Sequence, residues 1–145
     1  MGLQLRPYQD DAADFIFARD RALVLAPVGA GKTAITLTAM RDMLGAGEVQ
    51  RFLVVAPKRV AVNVWPVEAK LWAPGLSLSV VIGTPTQRVK ALQANVEVVV
   101  ATYDNLQWLA EQPLHFVGKA LARSGELLLV RQVHLSLNHH GNLHR

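Results

Sequence analysis

The sequence contains no cysteine, which excludes disulfide bridges and thiolate metal sites. It also has no apolar run near the roughly 18 residues that a membrane-spanning helix needs. Its first residues, MGLQLRPYQDD, hold no hydrophobic targeting segment, so we expect a cytoplasmic protein without a membrane partner. The 15 Lys and Arg against 11 Asp and Glu leave a formal net charge of +4. So small an excess permits a polyanionic partner without demonstrating one.

The composition is that of an ordinary globular domain. The chain has 145 residues, of which 51% are hydrophobic and 18% are charged, and this balance excludes disorder as the default state. A folded chain of this length hides roughly 68% of the surface that it exposes when unfolded, which is enough for a core.

Short apolar runs alternate along the chain with longer amphipathic stretches. This alternation predicts an α/β domain whose central, mostly parallel sheet carries helices on both faces. Continuous rather than alternating apolarity is typical of strands that are covered on both sides. The predicted strands are Ala22–Ala26, Phe52–Ala56, Leu78–Ile82, Val96–Ala101 and Leu127–Val130.

The stretches between these runs predict helices with recognisable ends. Gly45 is placed to terminate the first of them. In the segment GTPTQRVKALQAN, Thr84 can cap a helix and Gln87 can close a capping box. The predicted helices are Lys32–Leu44, Val60–Trp72 with an interruption at Pro66, the segment that follows Ile82, and Tyr103–Glu111.

The strongest chemical signal is APVGAGKT at residues 26–33, between an apolar strand and an amphipathic helix. Gly29 and Gly31 allow the backbone to curl with its amides inward, as a phosphate group requires. Lys32 can reach the β- and γ-phosphates, and the Thr33 hydroxyl can bind Mg²⁺. The alternative is a glycine-rich turn that merely joins strand to helix.

The general phosphate-loop pattern GxxxxGK(S/T) begins with a glycine, and this chain has Ala26 at that position. With that alanine, the loop resembles that of superfamily 2 helicases and translocases. The upstream segment LRPYQ, Leu5–Gln9, is similar to the Q motif of their Swi/Snf-like branch and of phage helicases. In that motif the glutamine reads adenine, and a glutamine amide can pair with the N6 and N7 edge of that base. In isolation, the same residues also fit a polar helix start.

Two later segments extend the resemblance. APKRVAVNVW, residues 56–65, resembles motif Ia, whose loop touches the nucleic-acid backbone in that family; Pro57 and Lys58 are the matching positions here. A solvated helix start is the alternative for these residues. VVATYDNL, residues 99–106, is similar to motif Ib, so Thr102 and Tyr103 are expected to contact the nucleic acid, although Tyr103 could instead pack in the core. Gly83 and Arg88 also match, and we can assign them no chemistry from the sequence.

The resemblance covers nearly the whole chain and implies a RecA-like P-loop domain, the first lobe of such an enzyme, over residues 1–130. It implies ATP and Mg²⁺ as cofactors, with Mg²⁺ bound by Thr33. It also implies a nucleic acid as partner, with DNA favoured over RNA, and a second RecA-like lobe that another chain could supply. The implied ATP-binding residues are Arg6, Gln9, Gly29, Ala30, Gly31, Lys32 and Thr33.

Motif II of this family is an acidic pair after the strand that follows motif Ib. Its Asp holds Mg²⁺ and its Glu orients the attacking water. In register, Arg131 and Gln132 occupy those positions here, so no catalytic residue is intact. Arginine cannot coordinate a cation, and glutamine cannot accept a proton from water. We therefore expect an incomplete lobe, weak or inactive in hydrolysis on its own.

Residues 131–145 form a tail of different composition, with four of the five histidines and no acidic residue. We expect an irregular segment, either a frayed terminus or a truncated or out-of-frame end of a longer domain. A histidine metal site is disfavoured because the adjacent His139 and His140 would not share a helix face.

Two other functions remain open at this point. One is a non-catalytic nucleotide or nucleic-acid binding protein, which the glutamine at position 132 favours. The other is a small P-loop kinase, disfavoured because residues 116–145 offer no recognisable lid of basic residues over a transferred phosphate.

Overall fold

The computed structural model describes residues 3–19, 24, 26, 29–47, 49 and 51–112, together with the backbone of three short strands near the C-terminus. The helices are α1 (Pro7–Phe17), α2 (Lys32–Gly45), α3 (Lys58–Asn63), α4 (Trp65–Trp72), α5 (Pro85–Gln93) and α6 (Leu106–Glu111), with a 3-10 turn at Tyr103–Asn105 before α6. The strands are β1 (Arg51–Ala56), β2 (Leu78–Val81), β3 (Val98–Thr102), β4 (Leu127–Arg131), β5 (Ser136–Leu137) and β6 (Leu143–His144).

The first four strands form one parallel sheet in the order β2-β3-β1-β4. In the register, Ala56 at the end of β1 lies beside Thr102 at the end of β3, and Val55 lies beside Arg131 of β4. All the carboxyl ends therefore meet at one edge of the sheet, where open α/β sheets bind their ligands.

One face of the sheet is covered by α2, α3 and α4. The main core cluster joins Phe52 and Val54 of β1 and Val98 of β3 to helical side chains, among them Leu37 of α2 and the fully buried Trp65 of α4. Continuous runs of apolar residues form β1 and β3 because both of their faces are buried.

The opposite face is covered by α5 and α6. Val99 and Ala101, the alternate residues of β3, pack there with Leu92 of α5 and Leu109 of α6. The connection from β1 to β2, through α3 and α4, crosses one face of the sheet. The connection from β2 to β3, through α5, runs back across the other face. Both crossovers then have the same hand, as parallel sheets require.

Local sequence accounts for several helix ends. Thr84 accepts a hydrogen bond from the Gln87 backbone N–H at 3.3 Å, and the Gln87 side chain accepts one from the Thr84 backbone N–H at 2.9 Å, which confirms the predicted capping box. The predicted helix at 60–72 is divided into α3 and α4 at Val64. Pro66 causes this break because it has no N–H to continue the helical ladder.

The structure confirms the predicted α/β architecture and changes some boundaries. Predicted strands 52–56, 78–82, 96–101 and 127–130 correspond to β1–β4, with ends that differ by one or two residues. The predicted strand Ala22–Ala26 lies mostly outside the described residues. Gly45 is the last residue of α2 rather than its terminator, because the left-handed residue that follows is Gly47.

Other features differ from what the sequence predicted. Helix α1 was not among the predicted helices, although a helix start was the alternative for LRPYQ and α1 does begin at Pro7; it packs on α2 by placing Ala13 against Ile35 and Ala39. The tail, expected to be irregular, contains β5 and β6, which pair antiparallel. Among the helices that the structure describes, none is long and apolar enough to cross a bilayer.

Candidate functional site

The phosphate loop has the backbone conformation that its glycines permit. Gly29 and Gly31 have φ angles of 82° and 81°, in the left-handed region that disfavours side chains. Gly31 is also the residue before α2, and it supplies no side chain to cap the helix. The first backbone amides of α2 have no intrahelical acceptor and can bind an external anion.

Lys32, the first residue of α2, folds back over this loop. Its Nζ donates a hydrogen bond to the Ala26 carbonyl oxygen at 3.3 Å, and the side chain is half-buried. A hydrogen bond of this length is weak enough to exchange for a phosphate oxygen. Thr33, the expected Mg²⁺ ligand, follows directly and is buried.

The start of α1 binds the same loop from the side. Gln9 is buried, and its Nε2 donates to the Ala30 carbonyl oxygen at 2.9 Å. The Tyr8 hydroxyl donates to that same oxygen at 3.1 Å. Two donors on one carbonyl fix the position of the loop relative to α1. The Gly31 backbone lies so close to Gln9 Nε2 that a Cβ at position 31 would overlap it.

The Gln9 amide keeps part of its hydrogen-bonding capacity. Its Oε1 accepts from the Arg6 backbone N–H at 2.8 Å, while Nε2 holds Ala30. An amide has two N–H donors and two acceptor lone pairs, so one donor and one acceptor remain. The adenine edge needs one of each. Arg6, the other expected nucleotide contact upstream, is exposed and directly precedes α1.

The predicted nucleic-acid residues lie where β1 and β3 end side by side. After β1 the chain turns through Pro57 into α3, on one face of the sheet, with the exposed Lys58 as its first helical residue. After β3, which ends at Thr102, it turns through Tyr103 towards α6 on the other face. Adjacent strands whose connections leave to opposite faces form the crevice that ligands occupy in such sheets.

The residues predicted to contact nucleic acid at this crevice differ in their solvent exposure. Thr102 is only 2% exposed, so its side chain lies inside the domain, whereas Tyr103 is half-buried. Lys58 and its neighbour Arg59 are exposed. Of the described charged residues in the turns and first helical turns that follow β1, β2 and β3 at this edge, three are basic and one is acidic: Lys58, Arg59 and Arg88 against Asp104. The edge therefore carries a local positive charge.

Of the two expected motif II positions, Arg131 lies at this edge. It is the last residue of β4 and pairs with Val55 of β1. Gln132 lies outside the described residues, as do His139 and His140.

Sequence reasoning missed two contributors to the site. Tyr8 stands inside the LRPYQ segment, and its position next to Gln9 was the available signal. Asn105, which likewise stands inside the VVATYDNL segment, links the turn after β3 to the end of β2 by donating from Nδ2 to the Val81 carbonyl oxygen at 3.1 Å.

A parallel α/β sheet with a glycine-rich loop, a lysine at the helix start and a basic carboxyl edge defines the class of P-loop nucleotide-binding domains. Within that class, residues 6–126 match the DEAD/DEAH box helicase family. The match spans most of the chain, and the chain belongs to this family.

Individual relatives agree with this assignment. The chain is 39% identical over 110 residues to protein p41 of Acyrthosiphon pisum secondary endosymbiont phage 1, an alignment that covers 73% of this chain and 24% of p41. It is 30% identical over 115 residues to the ATP-dependent DNA helicase Hel308 of Aeropyrum pernix, covering 79% of this chain and 14% of that helicase.

A solved structure shows the same fold. The Sulfolobus solfataricus SWI2/SNF2 ATPase core in complex with dsDNA superposes with a TM-score of 0.64 at 24% identity, over 72% of this chain and 22% of that one. The fold is thus that of a RecA-like helicase lobe. The chain spans about a quarter or less of the length of these relatives.

Proposed function

We propose that this chain is the ATP-binding lobe of a nucleic-acid-dependent ATPase of the helicase and translocase type. The observation that carries this proposal is the phosphate loop. Its two glycines take positive φ angles, Lys32 reaches back across it, and Gln9 and Tyr8 hold it from α1. A glycine-rich linker without a ligand would not need the lysine or the two side-chain hydrogen bonds to one carbonyl.

Mg²⁺ would accompany ATP at this loop. The Thr33 hydroxyl is an oxygen donor of the kind that Mg²⁺ prefers, and the ion takes its remaining ligands from phosphate oxygens and water. When bound, the ion neutralises charge on the phosphates. The chain's own contribution is the Lys32 ammonium and the amides at the start of α2.

Gln9 would make the site selective for adenine, and nucleotide competition tests this. The two remaining hydrogen-bonding groups of its amide fit adenine and mismatch guanine, a difference of about 1–3 kcal/mol, or roughly 5- to 160-fold in affinity. We expect the chain to prefer Mg-ATP over Mg-GTP, and Gln9→Ala to lower that ratio to near unity. Gln93→Ala, on the exposed end of α5, is the matched control.

The ratio of the affinities for Mg-ATP and Mg-GTP is the informative quantity, because it separates adenine reading from phosphate binding. Gln9→Ala also removes the hydrogen bond to Ala30 and should weaken both nucleotides together. Equal affinity of the unmodified chain for ATP and GTP would refute adenine reading and leave phosphate binding intact.

The nucleic-acid partner is proposed to lie on the carboxyl edge near Lys58 and Tyr103. The positive charge of that edge supports this, as do relatives described as a DNA helicase and as an ATPase core bound to dsDNA. On this basis we propose DNA rather than RNA. Lys58→Ala should weaken DNA binding in a salt-dependent way. Lys70→Ala, in the last turn of α4, should not.

Hydrolysis by this chain alone is proposed to be weak or absent, with a second RecA-like lobe required for activity. Arg131 at the end of β4 supports this because arginine cannot ligate Mg²⁺. The same observation favours a second candidate, a non-catalytic nucleotide or nucleic-acid binding protein. A steady phosphate release that DNA stimulates and that Lys32→Ala abolishes would exclude this second candidate.

A further inference from the structure

Arg88 is the residue that the proposed function leaves unexplained. It completes the first turn of α5, its backbone N–H donating to the Thr84 carbonyl oxygen at 2.9 Å, so it lies just beyond the carboxyl end of β2. Its guanidinium stacks on the Trp108 ring with 4.6 Å between Cζ and the ring centroid. Stacking of this kind fixes the plane of an arginine without using its N–H donors.

The donors of Arg88 are poorly satisfied. Nη1 donates to Asn105 Oδ1 at 3.4 Å, a long hydrogen bond, and the buried Nε has no hydrogen-bond partner. In the described part of the chain, no carboxylate lies within ion-pair distance of this side chain. A guanidinium has five N–H donors and stays charged, so a half-buried one without an anion is an unusual arrangement.

The surroundings of Arg88 suggest the kind of group that it binds. Asn105 ties it to the turn that holds Tyr103, and Asp104 is the only acidic residue in the described turns and first helical turns that follow β1, β2 and β3. A fixed, planar guanidinium at a basic edge suits a phosphate, which arginine recognises through paired N–H donors. Backbone phosphates would pass this position if a strand lay along the ends of β2 and β3.

We propose that Arg88 binds a phosphate of the nucleic-acid backbone and extends the interface from Lys58 and Tyr103 to the end of β2. This inference rests on the proposed nucleic-acid function of the same edge. In this proposal Arg88 makes the contact to the phosphate, and Asn105 and Trp108 hold its guanidinium in place. A contact to phosphate carries no base identity, so it contributes equally on all sequences.

The salt dependence of DNA binding tests this proposal. Each phosphate contact adds about 0.9 to the slope of log K against log salt concentration on duplex DNA, and about 0.7 on a single strand. We expect Arg88→Gln in the full chain to weaken DNA binding and to make this salt dependence less steep by about that amount. Arg88→Lys should keep most of the slope because it keeps the charge. Lys90→Gln, farther along α5 and exposed, is the charge-matched control and should leave the slope unchanged.

A purely structural role predicts different results. If Arg88 only positions the turn through Asn105, then Arg88→Gln and Asn105→Ala should weaken binding alike, with the slope unchanged. That outcome would overturn the phosphate contact and leave the proposed function standing. Failure of the unmodified, folded chain to bind DNA at low salt would instead overturn the nucleic-acid function and this inference with it. Circular dichroism of each variant shows whether it is folded.

Discussion

Replacement of Gly31 by alanine tests the contact between α1 and the phosphate loop most sharply. A Cβ at this position would overlap Nε2 of Gln9, whereas a Cβ at Gly29 would meet nothing within 4 Å. Both glycines have nearly the same positive φ, 81° and 82°. The two substitutions therefore carry the same free-energy cost for a left-handed backbone, and only Gly31→Ala must also displace the Gln9 side chain.

The magnitudes follow from these contacts. A left-handed alanine costs about 1–2 kcal/mol, and this is the whole expected effect of Gly29→Ala. Gly31→Ala must also displace Gln9, whose side chain holds Ala30 and the Arg6 backbone N–H. Each of these hydrogen bonds contributes about 0.5–1.5 kcal/mol. We expect Gly31→Ala to lower the free energy of unfolding by about 1–3 kcal/mol more than Gly29→Ala does.

Urea denaturation followed by tryptophan fluorescence measures both effects. In a Gln9→Ala background the overlap is gone, so Gly31→Ala should cost no more than Gly29→Ala. The double-mutant cycle isolates this coupling because the two residues are in direct contact. Equal destabilisation by the two glycine substitutions in the unmodified background, with no coupling to Gln9, would refute the described packing of α1 on the loop.

Two further stability predictions follow. Thr84→Ala removes the cap of α5 and should cost about 1 kcal/mol in urea denaturation, whereas the exposed Thr86→Ala on the same helix should cost far less; equal costs would contradict the capping box. Trp65→Ala empties the fully buried centre of the core and should cost about 3–5 kcal/mol, against little for the exposed Leu71→Ala on the same helix. A cost for Trp65→Ala close to that of Leu71→Ala would contradict its central position.

Much of the fold could be predicted because its signals are local. The capping box at Thr84 and the break at Pro66 depend on residues within one helical turn, and both were correct. The sheet order could not be predicted, since β1 lies between β3 and β4 through pairings between distant segments. Helix α1 was not among the predicted helices, although LRPYQ also fitted a helix start, because its packing through Ala13 on Ile35 and Ala39 is not visible in the sequence.

The residues of the candidate site could likewise be predicted only where the signal is local. Gly29, Gly31 and Lys32 could be identified because phosphate binding needs a fixed order of residues in one loop. The burial of Gln9 against Ala30 joins residues 21 apart and required the folded structure. The setting of Arg88 likewise depends on α5 meeting the turn after β3, which explains why the sequence assigned it no chemistry.

Calorimetric titration of the folded chain with Mg-ATP tests the central claim most directly. The account predicts saturable binding by the unmodified chain and by Lys90→Ala, and loss of binding in Lys32→Ala while its circular dichroism stays unchanged. Binding that survives Lys32→Ala, or no binding by a chain shown to be folded, would contradict the claim that this loop holds the triphosphate.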